Sequence, residues 1–116
     1  MGEKRDVQHF LDDITESIEK IIAYSSNLTE DEFQINVEKQ DAISRRIEIT
    51  GEAVKNIPDE IRNIFPEVQW KKIAGLCDAV IHNYFGIAPK RLWRIIKQDL
   101  PILNDQIILI KARLKD

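Results

Sequence analysis

The 116 residues weigh 13.5 kDa, the size of one domain, and 43% hydrophobic with 32% charged residues is a globular composition that excludes a disordered chain. No apolar run approaches the ~20 residues that span a bilayer. The first 20 residues carry acidic groups where a signal peptide needs an apolar stretch, so a cytoplasmic protein with no membrane partner is expected. The net charge of −3 hides an asymmetry: residues 1–41 hold 11 Asp and Glu against 4 Lys and Arg, and residues 42–116 hold 9 against 13. Only the C-terminal two-thirds, at +4, suits a polyanionic partner.

In chain order, Val7, Phe10, Leu11, Ile14, Ile18, Ile21 and Ile22 form one helical stripe. Thr29 followed by Glu30, Asp31 and Glu32 predicts an N-cap with acids in the first turn of a short helix through Phe33 and Ile35. A long helix follows over Val37 to Asn56, with Ala42, Ile43, Ile47, Ile49, Ala53, Val54 and Ile57 on its apolar face and Pro58 as its stop. Ile61, Ile64 and Phe65 predict a connector helix between Pro58 and Pro66. The next pattern runs from Val68 to Tyr84, with Trp70, Ile73, Ala74, Val80 and Ile81 inward and Gly86 as C-cap. Pro89 suits the first turn of a last helix through Leu92, Trp93, Ile95, Ile96, Leu100, Leu103, Ile107, Ile110 and Leu114, which Pro101 should bend. With no period-2 pattern and no hairpin signal, the expected fold is all-α, an up-and-down four-helix bundle with an additional short helix, and a single domain over 1–116.

Reactive side chains concentrate between Gly75 and Gly86. At 100° per residue, Asp78 and His82 fall on one side of the helix, as i and i+4 neighbours, while Cys77 and Tyr84 share another. Asp78 could then hydrogen-bond a ring nitrogen of His82 and fix its tautomer. About 140° separates Cys77 from His82, so one helix cannot aim both at one point, whereas two copies crossing at a dimer axis could. One cysteine forms no internal disulfide, and Cys77 with His9 and His82 is too small a set for structural zinc, so neither metal nor other cofactor is expected.

The stretches Asp41-Ala42, Arg45-Arg46, Glu48-Ile49-Thr50-Gly51-Glu52-Ala53-Val54-Lys55 and Pro58, then Trp70-Lys71-Lys72-Ile73-Ala74-Gly75-Leu76, then Ile81-His82-Asn83-Tyr84-Phe85-Gly86, and finally Trp93 and Asp99-Leu100-Pro101, resemble the HepT-like proteins. These belong to the HEPN (higher eukaryotes and prokaryotes nucleotide-binding) superfamily. The resemblance implies a homodimeric helical bundle acting as the ribonuclease toxin of a toxin–antitoxin pair, cutting RNA without a metal at a composite site. Its antitoxin would be a minimal nucleotidyltransferase that adds AMP to the motif tyrosine.

The family motif is Arg, a polar residue, three more positions, His, one position, Tyr. His82 and Tyr84 take the His and Tyr places, Asp78 the polar one, and Cys77 stands where the arginine belongs. A guanidinium can hold developing phosphorane charge with two parallel hydrogen bonds; a thiol cannot. Activity is therefore expected to be weak or absent, and Cys77→Arg to restore it. Cys77 has three readings: an ordinary small residue in a diverged homologue, a replacement silencing a toxic protein for production, or a nucleophile, which Asp78 beside it disfavours. The other function class is a non-catalytic nucleotide- or protein-binding module on the same scaffold. Lys71, Lys72, Lys90, Arg91, Arg94 and Lys97 flank the motif and could track an RNA backbone, although solvated helix faces look the same. Arg45, Arg46, Glu48 and Glu52 suggest an ion-pair lattice across helices, Trp70 and Trp93 core or interface anchors, and His9 a surface residue.

Overall fold

The computed structural model describes residues 2–82 and 89–115. Among them every regular element is helical: α1 (Gly2–Ser25), α2 (Glu30–Ile35), α3 (Val37–Lys55), α4 (Asp59–Ile64), α5 (Trp70–His82), α6 (Pro89–Arg94), a π-helical turn (Ile95–Asp99) and α7 (Leu100–Lys115). No helix in the described residues is long and apolar enough to cross a membrane. The all-α expectation is met, with two short helices, α2 and α4, in the connections.

The stripe on α1 folds as its spacing requires. Val7, Leu11, Ile14, Ile18 and Ile21 are buried, whereas Ile22 turns to solvent. The end of α1 is closed from two directions. Ser25 Oγ donates to the Ile21 carbonyl at 2.8 Å, and Lys97 Nζ donates to the Ser25 carbonyl at 3.2 Å. Midway along α1, Asp12 pairs with Lys111 at 2.7 Å, so α1 and α7 run antiparallel.

Thr29 caps α2 through a complete capping box. The Glu32 N–H donates to Thr29 Oγ1 at 3.1 Å, and the Thr29 N–H donates to Glu32 Oε1 at 2.9 Å. This sets the fully buried Phe33 against Trp93, ring centroids 5.3 Å apart.

Helix α3 ends before Pro58, and its freed carbonyls meet a side chain. The Arg62 guanidinium donates to the carbonyls of Val54, Lys55 and Ile57 at 2.9–3.3 Å. That fastens α4 beneath the end of α3. The Trp70 ring N–H then donates to the Phe65 carbonyl at 3.1 Å and fixes where α5 begins, two residues later than the pattern suggested.

Helix α5 buries Trp70, Ile73, Cys77 and Val80, a cleaner helical stripe than the expected one; Ala74 and Ile81 sit at its half-exposed margins. The stripe packs on α3, whose Thr50, Gly51, Ala53 and Val54 are buried. Near the C terminus, the bend expected at Pro101 is met by a wider turn. Pro101 has no N–H for the Lys97 carbonyl and its ring would crowd that turn. The chain answers one residue earlier, where the Leu100 N–H donates to Ile95, five residues back, and α7 restarts with the proline in its first turn.

The α3–α5 contact has almost no slack. A Cβ on Gly51 would stand 2.7 Å from Cys77 Cβ and 3.5 Å from its Sγ. Gly51→Ala gains up to ~1 kcal/mol of helix propensity but must push two helix backbones apart, and overpacking of this kind costs about 1–3 kcal/mol. We expect a net loss of about 1 kcal/mol and a melting temperature several degrees lower. A variant that melts at or above the parent temperature would show that the helices are not in contact at Gly51.

Candidate active site

The motif helix presents two different sides. Cys77 is 1% exposed and faces Gly51 of α3 inside its own chain. Burial pushes its thiol from the ordinary 9.0 up to about 12, the Asp78 carboxylate adds to the rise, and Lys55 opposes it. Burial keeps the thiol protonated at neutral pH, the form that is not nucleophilic.

On the other side lie Asp78 and His82, about 40° apart around the helix. His82 is the last residue of α5 and is exposed, free of the interior that holds Cys77. The expected Asp78–His82 hydrogen bond is not made. Asp78 Oδ1 instead accepts from Lys55 Nζ, at 2.5 Å across the α3–α5 groove, with the two side chains 39% and 40% exposed. The reason is charge: a permanent ammonium is a stronger donor to carboxylate than an imidazole N–H. The same hydrogen bond, ahead of every other influence, holds Lys55 above its ordinary 10.5.

Cys77 and His82 lie on different faces of α5, one buried and one exposed, as the helix geometry requires. The Cys77 side chain packs against Gly51 of α3 in its own chain. Tyr84, and Gly86 as the proposed cap, lie outside the described residues.

The basic residues separate into three groups. Lys71 and Lys72 are exposed on the first turn of α5 and line an open cleft of 710 Å³ with Asp59, Arg62 and Gln69. Lys71 is on the His82 side of α5, roughly 16 Å away along the axis. Lys90, Arg91 and Arg94 are exposed on α6. Lys97 is committed to structure, capping α1 and lying 4.8 Å over the Trp93 ring. Arg45 pairs with Glu48 within α3, so the lattice expected across helices is not formed by that pair; Lys55–Asp78 and Asp12–Lys111 are interhelical pairs among the described residues. Lys55 was not among the expected contact residues. Nothing in a one-dimensional pattern links it to Asp78, 23 positions on.

The described residues form an all-helical bundle whose motif helix ends on an exposed histidine. The family described as Ribonuclease HepT-like matches residues 14–110, and the chain belongs to it. Among curated relatives, the "Gamma-glutamylcyclotransferase and putative RNase" of Methanocaldococcus jannaschii is 41% identical over 111 residues, covering 96% of this chain and 50% of that protein. The "Probable ribonuclease HepT" of Thermococcus cleftensis is 38% identical over 101 residues, covering 87% of this chain and 92% of that protein. The chain thus spans half the length of the first relative and nearly all of the second. No solved structure matches it.

Proposed function

We propose that this chain is the ribonuclease toxin of a toxin–antitoxin pair, acting in the cytoplasm as a homodimer and cutting RNA without a metal. The observation that supports this most is the family match combined with His82, a proton carrier suited to neutral pH, standing exposed at the end of α5. In this reading an RNA 2′-hydroxyl attacks the adjacent phosphorus, the bond to the 5′-oxygen breaks, and His82 moves a proton between the entering and leaving oxygens. Lys71, Lys72, Lys90, Arg91 and Arg94 hold the flanking phosphates.

The reaction is slow here because position 77 supplies no charge. Losing one preorganised donor to a developing oxyanion costs about 3 kcal/mol, on the order of a hundredfold in rate. The partner is a minimal nucleotidyltransferase that adds AMP to Tyr84. Each adenylate brings a negative charge near the reacting phosphate, and at about 6 Å with an effective dielectric near 20 this repels by roughly 3 kcal/mol.

RNA cleavage by the unaltered chain, His82→Ala and Cys77→Arg tests the reading. Weak cleavage that disappears in His82→Ala is expected. Cys77→Arg should cut on the order of a hundredfold faster but melt lower, because its charge must leave a contact where Cys77 is 1% exposed. Cleavage indifferent to His82→Ala contradicts the mechanism, and a folded Cys77→Arg variant that cuts nothing favours a non-catalytic binding module. Incubation with the partner and ATP should add AMP masses that vanish in Tyr84→Phe; masses persisting in that variant contradict the assignment.

A further inference from the structure

We propose that Lys55, at the end of α3, is a phosphate-binding residue of the RNA site, held ready by Asp78 and released to the RNA when it arrives. The inference rests on the nuclease reading for its ligand, but its geometry is independent of it.

Position 77 faces inward and its thiol is uncharged, so the cation nearest the motif has to come from elsewhere. Lys55 reaches across from α3 and places Nζ 2.5 Å from Asp78 Oδ1. Asp78 lies one turn before His82, about 6 Å along the axis and about 40° around it. The ammonium is thus held at the carboxylate one turn before His82. Gly75, one turn before Asp78 on that side, is exposed and has open space where a Cβ would be, so α5 offers no side chain to fend off an approaching backbone.

The pair is suited to exchange. Both side chains are about two-fifths exposed, and an ion pair so open to water contributes little to stability. Lys55 remains fully charged at neutral pH, with Asp78 and Glu52 both favouring the ammonium. An arriving phosphate can take one of its three N–H donors while Asp78 keeps another, or displace the carboxylate outright. Asp78 in this account keeps the ammonium at the groove in the free protein and competes with the phosphate for it, so its loss does not weaken RNA binding.

The test is binding of a short fluorescent 2′-O-methyl oligoribonucleotide, which cannot be cleaved, over a salt series. The proteins are the full chain, its Tyr84 shown unmodified by intact mass, and the variants Lys55→Ala, Lys55→Arg and Asp78→Asn, each with its melting temperature. Lys55→Ala should bind about fivefold or more weakly and reduce the slope of log K against log salt by about 0.7, the loss of one phosphate contact on a single strand. Lys55→Arg should keep affinity within about twofold, and Asp78→Asn should bind as tightly as the parent or more so. A merely structural tie would make Lys55→Ala and Asp78→Asn fail alike, which overturns the proposal. Parental affinity and slope in Lys55→Ala, or no binding by the parent, also overturn it. Cleavage of ordinary RNA by the same proteins separates the two readings. If the binding pattern is as expected and the parent cuts nothing, the nuclease reading fails and the lysine contact stands. If the parent cuts by way of His82 while Lys55→Ala binds normally, the lysine contact fails alone.

Discussion

The close approach of α3 and α5 at Gly51 and Cys77 is the constraint on which the site depends. Two helix backbones come near enough that a methyl group on one would overlap a Cβ on the other. Interiors packed to crystal density do not yield to such an overlap without moving whole elements. Helix α5 is thereby fixed in rotation, and with it the direction of every side chain from Trp70 to His82. Turning Cys77 inward turns Asp78 and His82 outward, because a rigid helix cannot do one without the other.

The same contact decides where charge can stand. At position 77 a thiol fits the contact with Gly51 and is held protonated by burial. What remains at the surface is a carboxylate one turn before the histidine, and it draws Lys55 across the groove. The cation bonded to Asp78 thus comes from α3 and not from the motif helix. Distribution over two packed helices makes the arrangement sensitive to helix packing, not only to the motif residues.

Much of this was legible in the sequence. The apolar stripe of α1, the Thr29 cap, the stop at Pro58 and the helix-starting Pro89 are local signals with local causes, and each appears where its chemistry puts it. The angular separation of Cys77 from His82 follows from helix geometry alone. What could not be read was the partner across each interface. Gly51 carries no hydrophobic signal, so nothing marked it as the floor beneath Cys77. Asp78 was assigned to the neighbour four residues along its own helix, and the stronger donor came from a different one. Lys97 looked like one more surface cation, yet its ammonium closes α1. The π-helical turn before Pro101 likewise reflects a competition between ring and carbonyl that sequence announces only as a disturbance.

Position 77 is sealed inside the chain while the histidine position is open. Thiol labelling measures both directly. The folded chain should react with a neutral thiol reagent at pH 7.5 only as fast as it unfolds, because a thiol raised to about 12 and 1% exposed is neither ionised nor accessible. A second protein carrying Cys77→Ala and His82→Cys together should react at the rate of a free thiol without unfolding. Rapid labelling of Cys77 in the folded parent, at the rate it shows in denaturant, would contradict the packing from which the whole site is derived.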